Sequence, residues 1–163
     1  RLTSLPLPAY RYLPGSDPHP LTDAEGHGGI GGWIDTSTPD GCARCYVYGC
    51  DLFNHGYWWE CHEAWEALWH ATGRKGPQAE VLQALIQMAN AHLKRRMGRP
   101  RAAARLVAMA LEHGESALAW DPEPVPGLAL RSWLNAHHRF LLEPGDALPF
   151  PCLEPTGFWK TDL

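Results

Sequence analysis

The chain lacks any run of 18 apolar residues, so no segment reads as a membrane span. It lacks an excess of positive charge: 14 Lys and Arg stand against 18 Asp and Glu, for a net charge of −4. That balance argues against a nucleic-acid partner, which would leave a basic footprint on the whole domain. It also lacks the even, regular cysteine set of a small secreted scaffold. Its five cysteines stand at 42, 45, 50, 61 and 152. Nothing in residues 1–30 has the basic, then apolar, then small-residue order of a signal peptide. The expectation is a reduced, cytoplasmic chain without a membrane partner. There is no internal repeat, and the composition excludes disorder, collagen and coiled coil.

What the chain has is aromatic surface and proline. Its 163 residues include 8 Trp and 15 Pro, and 45% are hydrophobic, enough for one domain with a real core. Residues 1–50 hold six Pro and eight Gly and read as an irregular arm. Tyr10, Tyr12, Trp33, Ile34, Tyr46 and Tyr48 make that arm too apolar for a solvated tail. It is expected to wrap over the body, with at most a short strand near 45–49. Residues 51–142 form the expected helical body and 143–163 a C-terminal tail. The expected fold is all-α: a compact bundle of about four helices under a Pro/Gly-rich N-terminal arm, one domain over 1–163.

The spacing predicts helices near 54–71, 77–97, 100–119 and 127–142. Gly73 and Gly98 are their left-handed terminators, and Pro77 and Pro100 stand where helices begin. At 100° per residue, the first helix gathers Trp58, Cys61, Trp65, Leu68 and Trp69 into one apolar arc. His62 falls inside that arc and Glu66 beside it, four residues on and within reach. Both are therefore expected to be buried among tryptophans. Glu63 lies just outside the arc, and Glu60 points furthest from it. His92 and His137 fall on the apolar arcs of two other helices.

The run Glu60-Cys61-His62-Glu63-Ala64-Trp65-Glu66 is the densest chemical site. Three carboxylates and an imidazole on two turns suit a metal site or an acid–base pair, or else a buried Glu–His bond that orients the bundle. It is not the zinc-protease His-Glu-x-x-His, because Glu66 occupies the second histidine's place. His62, His92 and His137 would form a metal site if they converged. Cys42, Cys45 and Cys50 resemble half of a zinc knuckle, and are otherwise small buried thiols. His19 and His27 lie among Pro and Gly in the arm, placed as a lid or as a structural turn. Lys94, Arg95, Arg96, Arg99, Arg101 and Arg105 form the one basic cluster, either an anion site or a solvated helix junction.

Asp51-Leu52-Phe53-Asn54, then Gly56, an aromatic pair, Glu60-x-His62-Glu63-x-x-Glu66 and Trp69 resemble the signature of domain-of-unknown-function family 309. Leu85-Ile86-Gln87 with Lys94 and Gly98 resembles its second block. Tyr12-Leu13-Pro14-Gly15 through Pro18-His19-Pro20 and Gly26-His27 resembles the N-terminal extension of its longer members. The resemblance covers most of residues 10–110. It implies an all-helical fold and a metal-dependent hydrolase, the label the family carries. Cys50, Trp59, Cys61 and His92 stand where the family pattern has more ordinary residues.

Under that implication a divalent ion (zinc, iron or manganese) is held by His62 and Glu66, with a third ligand from His92 or from the arm. Glu63 serves as the base, with Glu60 beside it, and Trp59, Trp65 and Trp69 wall the pocket for a small-molecule substrate. A second reading is a non-catalytic helical module whose cluster is structural and whose aromatic face binds a partner protein. A third is an anion-binding or RNA-associated accessory protein using Lys94–Arg105.

Overall fold

The computed structural model describes residues 1–29, 34–142 and 149–154, so Trp33 and most of the expected tail lie outside the described residues. These residues form five helices and no strand: α1 Pro39–Asn54, α2 Trp58–Ala71, α3 Pro77–Arg96, α4 Pro100–Trp120 and α5 Leu130–Leu142. Each helix packs on the next. α3 makes its largest contact with α4 and also touches α2 and α5. No helix among the described residues is long and apolar enough to cross a membrane.

Helix α1 corrects the expectation of an irregular segment through residue 50 and of a strand near 45–49. Its start is well specified. The Thr38 side chain accepts the Gly41 N–H at 3.1 Å, Pro39 opens the first turn and Asp40 follows it. The glycines that read as helix breakers are sites of close approach. A Cβ on Gly49 would lie 2.1 Å from Trp65 Nε1, and one on Gly41 would lie 1.7 Å from the Asp35 carbonyl oxygen. Glycine in a helix costs about 1 kcal/mol relative to alanine. Here that cost is offset by seating the α2 indole directly on the α1 backbone.

Gly56 separates α1 from α2, which is why the helix expected from residue 54 starts at Trp58. Gly56 has φ +78° and donates to the Phe53 carbonyl at 3.1 Å, while Tyr57 donates to Leu52 at 2.9 Å. That pattern closes α1 with its last carbonyls satisfied. Gly98 ends α3 the same way, with Arg99 donating to the Lys94 carbonyl at 2.9 Å.

The core joins fully buried Tyr46, Tyr48 and Phe53 of α1, Trp65 and Leu68 of α2, Leu82, Leu85 and Met88 of α3, and Leu134 of α5. The N-terminal segment is pinned to α1 at Asp51, a carboxylate 1% exposed. It accepts the Leu2 and Thr3 backbone N–H groups and the Thr3 hydroxyl, each at 2.7 Å, and Arg1 Nε at 3.1 Å. Burial alone would push its pKa up, but these hydrogen bonds outweigh burial and hold it below the usual carboxylate value. At the other end Asn54 bonds both backbone groups of Leu153 at 2.7 Å, fixing residues 149–154 against the bundle.

Candidate metal centre and its surroundings

Helix α2 presents its chemistry on two sides. On one, Glu60 is 1% exposed, although the helical wheel turned it furthest from the apolar arc. Residues 10–27 lie over this face and remove it from water. Glu60 Oε1 accepts the Tyr12 backbone N–H at 2.8 Å and lies 3.0 Å from His27 Nε2. The His27 ring packs on Tyr10, with centroids 4.5 Å apart. Its Nδ1 lies 2.8 Å from the Gly28 carbonyl oxygen, which can only accept, so Nδ1 carries a hydrogen. The Nε2–Oε1 contact therefore holds one further proton, shared between an imidazole and a carboxyl. Glu60 Oε2 is buried and has no hydrogen-bond partner.

On the other side lie His62, Glu63 and Glu66. One ligand atom from each falls within 4.8 Å of the others, the one such group of metal-ligating side chains among the described residues. His62 Nε2 is 3.5 Å from Glu66 Oε2 and 4.0 Å from Glu63 Oε1. Its Nδ1 is 2.7 Å from Asn90 Nδ2 of α3. The side chains of His62, Glu63 and Glu66 are 24%, 32% and 45% exposed, which corrects the expectation that His62 and Glu66 are buried. The reason lies in the flanking tryptophans: Trp58 and Trp69 are rim residues, only half buried, and the deep part of the arc is Cys61, Trp65 and Leu68. Partial burial pushes the Glu63 pKa up. His62 and His19 pull it down, and Glu66 and Glu60 push it further up.

The aromatic surround divides in the same way. Trp59 meets Tyr12 and His19 edge-on, at 5.2 and 5.5 Å between centroids. Trp65 does not wall the site: it is fully buried and its Nε1–H donates to the Tyr46 carbonyl at 3.3 Å. Trp69 carries the Arg74 guanidinium 5.1 Å above its ring, at the end of α2.

His92 is not part of the metal-ligating group. It joins His137 in the core. His137 Nε2–H donates to the Pro151 carbonyl at 2.8 Å, so its Nδ1 accepts the His92 Nε2–H, also at 2.8 Å. Both rings are neutral in this chain. Burial pushes the His137 pKa down to about 3, and burial, with His137 alongside, holds His92 well below its usual value. Trp58 stacks on His92 at 5.1 Å, and Phe53 meets both imidazoles edge-on. The three-histidine convergence thus resolves into a buried pair and a separate His62.

Cys42, Cys45 and Cys50 are free and buried along α1 and form no ligand group. Cys42 and Cys45 donate to the Thr36 and Ala64 carbonyls, both at 3.2 Å. Burial pushes the Cys45 thiol up to about 12 and Cys50 higher still, so these sulfurs stay protonated. Arg99, Arg101 and Arg105 line an open cleft of about 460 Å³ at the start of α4, away from the carboxylates in sequence.

Asn90 escaped the sequence reading. The signal available was an amide at the edge of the α3 face that buries Met88, Ala89, Ala91 and His92. The donor set of one imidazole and two carboxylates fits a divalent transition metal. The partial exposure leaves room for further ligands, and the Asn90 amide lies against the far nitrogen of the His62 imidazole, the position of an outer-shell partner.

Fold and site together define a small all-helical protein with a carboxylate–imidazole cluster on one helix. Residues 46–106 match the model of the family described as Domain of unknown function (DUF309), which supports the family that the α2 motif resembles. No curated protein and no solved structure matches the chain.

Proposed function

We propose that the His62–Glu63–Glu66 cluster binds a divalent cation (zinc, iron or manganese) and that the protein is a metal-dependent hydrolase acting on a small molecule. The observation that carries this reading is the gathering of three ligand atoms within 4.8 Å on a half-open face of α2. When bound, the cation would supply Lewis acidity to a hydrolysis. The protein's own groups do the rest. His62, Glu63 and Glu66 hold the charge, and Asn90 fixes the imidazole. His19 and Trp59 form the rim against which a substrate would rest. Glu63 moves from the base assigned by sequence to a ligand. The His27–Glu60 pair lies on the other face of α2, out of contact with water, and holds residues 10–27 there. The free thiols of all five cysteines support a reducing, cytoplasmic setting.

The test is elemental analysis of protein purified without chelator or an immobilised-metal column. Near one equivalent of zinc, iron or manganese, lost in His62→Ala and Glu66→Ala, is the expected result. Metal-free protein that takes up none of these ions on titration sinks the reading. The interaction module then stands, with Trp120, 72% exposed, as its first candidate contact.

A further inference from the structure

We propose that Asn90 is the positioning residue of the cluster: its side-chain amide decides which nitrogen of His62 carries the hydrogen, and so whether the cluster rests hydrogen-bonded or accepts a divalent cation. This inference rests on the metal-binding reading above.

Asn90 Nδ2 lies 2.7 Å from His62 Nδ1. An amide NH₂ donates and cannot accept, so Nδ1 accepts, and a neutral imidazole then carries its hydrogen on Nε2. That N–H faces Glu66 Oε2 at 3.5 Å and Glu63 Oε1 at 4.0 Å. In this state the nitrogen that would ligate a cation is occupied by hydrogen, and the two carboxylates are the groups it serves. The cluster is self-contained.

A half turn of the Asn90 amide gives the other state. The His62 ring gives its Nε2 hydrogen to solvent and takes one at Nδ1, as its 24% exposure allows; Oδ1 then faces Nδ1 and accepts that hydrogen, and Nε2 is bare. A bare lone pair turned toward two carboxylate oxygens is repelled unless a cation lies between them. With a cation present, the same three atoms are its ligands. The two amide orientations have almost the same shape, so the change requires rotation about one side-chain torsion and no movement of α3. Cation binding and amide orientation are therefore linked. The cation selects the orientation that accepts from Nδ1–H, and an amide fixed in that orientation strengthens binding by the same factor. A hydrogen bond to the far nitrogen is the usual device that sets a ligand imidazole's tautomer and ring angle.

The experiment is ¹⁵N-histidine NMR of the full chain at pH 8, metal-free and then saturated with Zn²⁺, with His62 assigned by its loss in His62→Gln. Zinc affinity is measured by calorimetry alongside. Metal-free His62 should carry its hydrogen on Nε2 and zinc-bound His62 on Nδ1. Asn90→Leu should weaken zinc about 10–100-fold. Asn90→Asp, which only accepts, should show the Nδ1–H form before zinc is added and bind zinc at least as tightly as wild type. If Asn90→Leu does not fold, the wild-type spectra and the Asp variant decide. Metal-free His62 with hydrogen already on Nδ1, or zinc uptake with the tautomer unchanged, overturns the role of Asn90 and leaves the metal reading standing. Wild type that takes up no zinc overturns both.

Discussion

His27 Nε2 lies 3.0 Å from Glu60 Oε1, joining residues 33 positions apart through side chains only 5% and 1% exposed. The contact ties the N-terminal segment to the first turn of α2 and holds a proton away from water. Removing one partner leaves the other buried with an unmet hydrogen bond. His27→Ala should therefore cost about 3 kcal/mol of stability, in urea unfolding. Glu60→Gln keeps an acceptor for Tyr12 N–H and should cost closer to about 1 kcal/mol. Equal midpoints for wild type and His27→Ala would show that the segment contributes nothing there.

Gly49 and Trp65 give a second prediction. The indole edge occupies the space of a Cβ, 2.1 Å from where that atom would sit, and the Trp65 N–H is bonded to the neighbouring Tyr46 carbonyl. Gly49→Ala gains helix propensity but forces α1 and α2 apart. The net loss should be about 1–3 kcal/mol, with a fall in tryptophan near-ultraviolet dichroism. A variant as stable as wild type, as helix propensity alone would predict, would refute this packing.

The His92–His137 pair predicts an acid limb. Both histidines are neutral in the folded chain, His137 with its pKa pushed down to about 3, and both titrate near 6.5 when unfolded. The unfolded state thus binds more protons below pH 6.5. The pair's contribution is whole above that pH and is lost as pH falls toward 3. Each pH unit below 6.5 removes up to about 1.4 kcal/mol through His137, so unfolding at pH 5 should be easier than at pH 8 by up to about 2 kcal/mol on its account, with His92 acting in the same direction. NMR should find both rings neutral at pH 5. If either is an imidazolium in folded protein there, the pair is not what drives the loss.

Helices α3 and α4 were legible because each begins at a proline, α5 because its apolar pattern resumes after the Pro-rich stretch 121–126, and Gly73 and Gly98 end α2 and α3 where expected. Helix α1 was not legible, because Gly41 and Gly49 report contact with Asp35 and Trp65, which a local reading mistakes for helix breaking. The composition of α2 marked the site, but its wheel described one helix alone. A wheel cannot know that residues 10–27 cover the polar side, which buries Glu60. Nor can it know that Trp58 and Trp69 sit at the rim, which leaves His62 and Glu66 half exposed. Asn90 was invisible because its significance is its distance to a nitrogen on another helix.

Glu60 and Glu66 lie on one helix, six residues apart, and should respond in opposite ways to the same substitution. Glu66 is 45% exposed, and its contact with His62 is long, at 3.5 Å. A contact of that kind contributes little to folding, and His62 keeps its bond to Asn90 without it. Glu66→Ala should shift unfolding by no more than about 0.5 kcal/mol. Under the metal reading it should also remove a ligand and abolish stoichiometric zinc uptake. Glu60 is 1% exposed and holds Tyr12 and His27 together. Glu60→Ala should cost about 2–3 kcal/mol, because two donors lose their acceptor inside the protein. Zinc uptake should survive wherever the variant folds, since Glu60 is outside the ligand group. Urea unfolding and zinc titration on the same two samples separate the effects. A Glu66→Ala protein that is strongly destabilised, or a folded Glu60→Ala protein that no longer takes up zinc, would reverse the division of labour along α2.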